Sequence, residues 1–497
     1  MWGRNFRFPK TSIATIGQRQ PAGCPRSPQA LVVVSVSLTK KMADISPFRA
    51  LRYDLNRVSA ADVVTQPYDK ISPAMQDRYY AASHFNLVRI ILGRTSPNDN
   101  DSANVYTRAA ENLLQWRKDG VLTQDPRPAI YYYTQRFTVP ASAVGSHGKP
   151  VEFERRGFIA AGRIHDYADG VVFRHEQTLA KPKSDRLNLL RATQAHFGQI
   201  FMLYSDPEDE IGMMLENSLL EVSPGGTRQS AADAVLSVDP DVSVTDEYGV
   251  LHRVWAITDE KVVAAVQKKM ADKKLIIADG HHRYETALTY RNERRAAAGS
   301  RGDNSPYERV MMTLVNMDSR GLVILPTHRV VHGLRNFNRE AFIERARKYF
   351  EVLQLTGACE EKMSRLHDAG HHGTTIVAAS GDECFLMHAR KQACDELLKN
   401  VAPLQRQLDV VILHKVLLEH VLGLSEESIR NQENISYHRE AEEALKRVRD
   451  GANIAFLMNP IKMEQLREIT FAGGVLPQKS TDFYPKMLSG LTIYSVE

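Results

Sequence analysis

Cysteine is scarce in this 497-residue chain: there are four, Cys24, Cys359, Cys384 and Cys394. None stands in a Cys-x-x-Cys pair, and the spacing forms no disulfide framework. That argues against a cysteine-ligated zinc and a cross-linked secreted scaffold, and no cysteine is placed as an evident nucleophile. A reducing cytoplasm is the compartment expected. Long apolar runs are also missing; none approaches the roughly 20 residues of a membrane-spanning helix. There is no Walker loop, no Gly-x-Ser-x-Gly elbow and no Rossmann glycine fingerprint. Excess charge is modest. A net charge of +5 is too small to point to nucleic acid, and no helix-turn-helix pattern stands out, so neither nucleic acid nor membrane is the expected partner.

The remainder is the composition of a folded protein, with 43% hydrophobic and 25% charged residues. The length allows two or three domains with cores of their own. Residues 1–41 differ, holding seven Lys or Arg and no Asp or Glu. Met42-Ala43-Asp44-Ile45 reads like a natural start, so 1–41 is expected to be disordered or a mis-assigned extension. Hydrophobic periodicity predicts strands at Ala129–Val139, Phe153–Ile164 and Gln199–Tyr204, and helices at Ser72–Ala82, Val105–Asp119, Asp185–Thr193 and Asp259–Ala271. It also predicts short strands over Asp62–Ile71 and Asn86–Leu92, and hairpins at Val242–Ile257 and Glu308–Leu325. From about residue 335 the pattern is lighter: a helix over Arg339–Phe350, a strand pair over Thr374–Ala389, a long amphipathic helix over Leu404–Leu422 and a β-α-β unit over Ile435–Met458. A surface loop is expected near Pro224-Gly225-Gly226. The tail from Leu476 to Met487 is irregular, yet too rich in Lys, Pro and aromatic residues to be a plain disordered end.

The chemistry gathers at Lys274-Leu275-Ile276-Ile277-Ala278-Asp279-Gly280-His281-His282-Arg283-Tyr284-Glu285. A β-branched apolar run predicts a buried strand. Asp279-Gly280 predicts a tight turn, and Tyr284, Ala287 and Leu288 share one face of the helix that follows. Gly280, His281, His282 and Arg283 therefore sit where free amides and a helix dipole favour an anion. Two more segments place cations beside histidine at element boundaries. One is Arg174-His175-Glu176 with Lys181, Lys183 and Arg186; the other is His328-Arg329. Phosphoryl transfer needs cations to offset charge on the transferring group and a carboxylate to position the nucleophile. Glu176 and Asp279 suit the carboxylate role, with Glu285 third, and His281 or His282 suits an acid. Adjacent His281 and His282 diverge on a regular element and make a poor transition-metal site. A magnesium ion arriving with a nucleotide would need only one acid, for which Asp279 serves. No organic cofactor is expected.

Several motifs together resemble a bacterial and archaeal family catalogued as domain of unknown function 1015. They are Pro67-Tyr68-Asp69, Trp116 through Leu122, His175-Glu176 with Lys181-Pro182-Lys183 and Asp185-Arg186-Leu187, Asp279 through Tyr284, Leu325 through Arg329, and Pro477-Gln478-Lys479-Ser480-Thr481. The resemblance spans residues 44–492. Gln66 replaces the proline expected before Pro67. The strand-Asp-Gly-His-His-Arg-helix signature is also similar to the nucleotide-binding turn of the ParB/sulfiredoxin superfamily, which includes CTP-hydrolysing partitioning proteins, ATP-using sulfiredoxin and free-serine kinases. This second resemblance implies that Gly280, His281, His282 and Arg283 bind nucleotide phosphate. Lys479, in the tail motif of the first resemblance, is expected to join them. The first resemblance also implies a link to serine or phosphoserine.

Together these readings predict a mixed α/β protein. A ParB/sulfiredoxin-like core spans 42–334, and an α/β subdomain over 335–497 lends its tail to the site. The expected activity is phosphoryl transfer, as kinase or phosphatase, on a small metabolite. The alternative is a ParB-like, nucleotide-responsive DNA-binding protein.

Overall fold

The computed structural model describes residues 42–145, 148–176, 180–221, 238–298 and 304–497. The expectations for 1–41 and for the loop at 224–226 lie outside them, and for Lys181 only the backbone is described.

Nine strands form the larger sheet. In chain order they are β1 (Ile45–Ser46), β2 (Ile130–Val139), β3 (Val151–Arg163), β4 (Val172–Phe173), β5 (Ile200–Tyr204), β6 (Val242–Thr245), β7 (Leu251–Ile257), β8 (Leu275–Asp279) and β9 (Arg309–Asn316). Their spatial order is β4-β8-β5-β9-β3-β2-β7-β6, with β1 beside β3. The β4–β8 and β5–β9 pairs are parallel and the others antiparallel, so the sheet is mixed. Side chains alternate between two buried faces. On β8, Ile276 and Ala278 join one core while Leu275 and Ile277 join the other. On β2, Tyr131 and Tyr133 oppose Ile130 and Tyr132 in the same way.

Helices cover both faces. The first face takes Ala109, Leu113 and Trp116 of α1 (Val105–Lys118) and Leu189 and Leu190 of α2 (Ala180–Thr193). Asn104 caps α1, its side chain accepting from the amides of Tyr106 and Thr107. The second face takes Ile211, Leu215 and Leu219 of α3 (Glu210–Glu221) and Val263, Val266 and Met270 of α4 (Glu260–Met270). Then α5 (His281–Ala298) leaves the end of β8, burying Tyr284 and Ala287 against the second face.

The smaller sheet has six strands: β10 (His328–Val331), β11 (Phe350–Leu355), β12 (Thr375–Ser380), β13 (Glu383–Ala389), β14 (Ile435–His438) and β15 (Ile454–Leu457), in the order β11-β13-β12-β15-β10-β14. All neighbours are antiparallel. The tail then returns to earlier segments of the chain. Asp482–Tyr484 pairs with Val323–Leu325, Tyr494–Ser495 pairs with Ala195–His196, and Ile493 bridges Leu51.

Several local expectations are corrected. Asp62–Ile71 is no strand: a helical turn spans Ala60–Val63, and Pro67, its φ fixed at −54°, leads into a 3-10 turn at Tyr68–Lys70. Val88–Ile91 is a short helix, because Asn86 accepts from the amide of Val88 (2.9 Å) and donates to the carbonyl of Asp62 (2.7 Å). Periodicity does not separate so short an apolar run from a strand. Val323–Leu325 does not pair with β9, since the tail takes that edge. The helix from Arg339 stops at Ala346, and Phe350 opens β11. The long helix is shorter than expected, starting at Asp409, and winds into a wider π-type stretch over Leu413–Val421. Finally, β14 and β15 run parallel but are not neighbours: β10 lies between them, antiparallel to both.

Candidate active site

The site grows from the end of β8. Gly280 adopts φ +94°, in the left-handed region open to glycine. The first hydrogen bond of α5 runs from the Tyr284 amide to the Gly280 carbonyl (2.9 Å), so the amides of His281, His282 and Arg283 precede the intrahelical ladder. A Cβ built on Gly280 would lie 3.1 Å from Nε and Nη2 of Arg283. Gly280→Ala is expected to cost about 1–2 kcal/mol from the backbone alone. It should also push Arg283 from its seat, which urea unfolding and phosphate titration together would detect.

Arg283 donates to the Gln199 carbonyl (2.5 Å) and pairs with Asp279 one turn back (3.4 Å). Beside it lies a cavity of about 60 Å³, bounded also by Arg186, Tyr68 and Ser489. Arg186 is held by Asp185 (2.6 Å) and lies over the Tyr68 ring at 4.1 Å. Burial by itself would raise the Asp279 carboxyl. The charges of Lys486, Arg283 and Lys70 outweigh it and hold the group well below the usual carboxylate range. Lys486 is fixed in turn by Asp482 (3.2 Å), whose other oxygen takes Arg439 (2.7 Å). Those cations hold the Asp482 carboxyl down at about 2 against the opposing effect of burial.

Histidines form the second part. The buried ring of His175 meets that of His281 edge to face, centroids 4.7 Å apart. His175 Nδ1 lies 2.8 Å from the Ile277 carbonyl, which can only accept, so Nδ1 carries the proton. Nε2 then accepts from the Thr481 hydroxyl (2.9 Å). With both nitrogens engaged and burial pushing it down to about 4, His175 is a neutral support. His281 is also held neutral, first by burial and then by His175, and its Nε2 has no partner. His282 is lowered by burial, with Glu285 opposing, and its Nδ1 is unpartnered. Glu285 ties the second cluster to α5, pairing with Lys183 and with Arg174 (3.4 Å). Glu176 accepts the Lys479 amide (3.1 Å) on one oxygen.

The clusters at 174–186 and 279–285 therefore come together. The third is linked through the tail: Arg329 donates to the Lys479 carbonyl (2.9 Å), and the Lys479 amide reaches Glu176. His328 points elsewhere, accepting the Met458 amide (3.1 Å). Lys70, Lys486, Asp482 and Arg439 were not among the sequence candidates. The Lys- and Pro-rich character of the tail and the position of Lys70 beside Pro67-Tyr68-Asp69 were the available signals. Among the described residues no group of three His, Cys, Asp or Glu is arranged to hold a metal ion.

A mixed sheet covered by helices on both faces makes this an α/β protein. The chain matches the family described as Protein of unknown function (DUF1015) over residues 45–411, and it belongs to that family. No curated protein matches it. Among solved structures it is similar to a free serine kinase mutant in complex with ADP, at 12% identity and TM-score 0.31, covering 64% of this chain and 88% of that one. It is also similar to a conserved hypothetical protein from Pyrococcus furiosus (14%, TM-score 0.29, 64% and 90%). A third is SbnI with C-terminal truncation from Staphylococcus aureus (10%, TM-score 0.31, 67% and 85%).

Proposed function

We propose that this protein transfers a phosphoryl group between a nucleotide or phosphate ester and a small hydroxyl metabolite. The observation that carries the reading is the convergence of Lys486, Lys70 and Arg283 on Asp279 at the start of α5. An incoming phosphate meets the amides of residues 281–283 and the guanidinium of Arg283, which cancel charge on the transferring group. Asp279, ionised throughout the working range, is a weak base; its part is electrostatic, holding the cations in place. Glu176 keeps one oxygen on the Lys479 amide and offers the other to a substrate hydroxyl as the base. The neutral His281 presents Nε2 as a hydrogen-bond donor to the phosphoryl oxygen, since burial leaves it no imidazolium proton to give as an acid. A nucleotide's magnesium would add charge neutralisation here. The ParB/sulfiredoxin-like core and serine or phosphoserine as the metabolite are the specific forms we test first.

The test is a thermal-shift panel of ATP, ADP, CTP, serine, phosphoserine and pyrophosphate, with and without magnesium. A ligand at a hundred times its Kd stabilises by about 2.7 kcal/mol, and the shift should vanish in Arg283→Ala. A nucleotide shift indicates a kinase, and a phosphoserine shift without nucleotide indicates a phosphatase. No shift with any of them overturns the proposal.

A further inference from the structure

A large cavity lies away from α5, at one end of the smaller sheet. Because β12 and β10 run antiparallel to β15, and β13 antiparallel to β12, four chain positions meet there. They are the starts of β10 and β12 and the ends of β13 and β15. The space they enclose with the C-terminus of α6 (Cys359–Gly370) is about 880 Å³. That is the volume of a pocket for a drug-sized molecule.

Its walls combine charge with carbon. Arg329 lines it, 2% exposed, and bonds only to carbonyl oxygens, those of Thr327 and Lys479. Its Nε has no partner, and among the described residues no carboxylate pairs with it. Arg406 also lines the cavity and likewise donates only to carbonyls, of Val401 (2.7 Å) and Lys399 (2.8 Å). Lys462 stands on the rim, while Leu408, Met458 and Ile461 give an apolar wall. A buried guanidinium without an acid is costly in a protein interior, and an anionic group set on it would offset that cost through charge-assisted hydrogen bonds.

We propose that this cavity is a second ligand site for a small organic anion, its carboxylate or phosphate held by Arg329 and its carbon body against Leu408, Met458 and Ile461. The site is independent of the phosphoryl-transfer reading. It is nevertheless linked to Glu176 through the two ends of Lys479.

Calorimetric titration with AMP and with hexanoate tests it, on the full chain carrying Arg283→Ala so that nucleotide binding at α5 is removed; the two probes separate a phosphate from a carboxylate head. At least one should bind saturably with Kd below about 1 mM. Adding Lys462→Met, on the rim, or Arg329→Met should weaken that binding about tenfold or more. The exposed Lys462 variant keeps the test valid if Arg329→Met fails to fold. Binding indifferent to Lys462→Met would overturn the proposal, as would no saturable binding of either probe up to about 10 mM. Failure of the thermal-shift panel at α5 bears on neither result.

Discussion

Lowering the pH from 7.5 to 5.5 is expected to remove at least about 4 kcal/mol of folding stability, the share of three of the buried histidines alone. His175, His328 and His414 are all nearly inaccessible. Burial pushes them down to about 4, 3 and 3 respectively, and the charge of Arg329 adds to the effect on the latter two. His438 also lowers His328, and Lys415 lowers His414. These are groups depressed in the folded state, so the unfolded chain binds protons first. Stability is therefore complete above the unfolded value of about 6.5 and falls as the pH drops toward the folded values. Each histidine contributes about 1.4 kcal/mol over that interval. Urea unfolding at the two pH values measures the whole, to which His196, pushed down to about 4 by burial, also contributes. His328→Gln, whose amide oxygen can still accept from Met458, should reduce the pH dependence by about 1.4 kcal/mol. A midpoint that does not move with pH would refute the assignment.

Lys486→Met should have the second large effect. Lys486 is the cation shared by Asp279 and Asp482, and it is pulled up by both although burial acts against it. Removing it leaves two nearly buried carboxylates, one with Arg283 at 3.4 Å and the other with Arg439 at 2.7 Å. Breaking such a pair from one side costs about 3–5 kcal/mol. Phosphate affinity at α5 should fall by about a hundredfold, the loss of one strong charge-assisted contact. Adding Asp279→Asn to Lys486→Met should restore much of the stability, because the uncompensated charge is gone, yet none of the binding. Chemical unfolding and phosphate titration on the two variants separate these outcomes. Unchanged stability in Lys486→Met would show that the lysine is solvated and not shared.

The turn that organises the site was legible because its determinants are local. The run Leu275–Ala278 specifies a buried strand, Gly280 the positive φ, and Tyr284 with Ala287 the buried helix face. The contact between the His175 and Glu285 segments was also foreseeable, since Lys and His at element ends need acidic or anionic partners. What escaped the sequence depends on partners far along the chain. Lys486 meets Asp279 across some two hundred positions, and nothing local in Tyr484-Pro485-Lys486 says which carboxylates it will face. Likewise β10 enters the smaller sheet between two strands that a local reading joins directly. The short apolar run at Val88–Ile91 failed for another reason, because its conformation is decided by the side chain of Asn86 bonding across to Asp62.

The return of the tail governs how the molecule is made. Ile493 pairs with Leu51, and Leu491, Ile493 and Val496 belong to the same buried core as Trp116 and Tyr131. A ribosome makes these residues long after Leu51, Trp116 and Tyr131, so that core is complete only once synthesis has reached Val496. Until then part of its apolar face, built from segments emitted early, stays open to water. A nascent chain stalled before residue 480 would expose that part and depend on chaperones, whereas chains extending through Val496 would bury it.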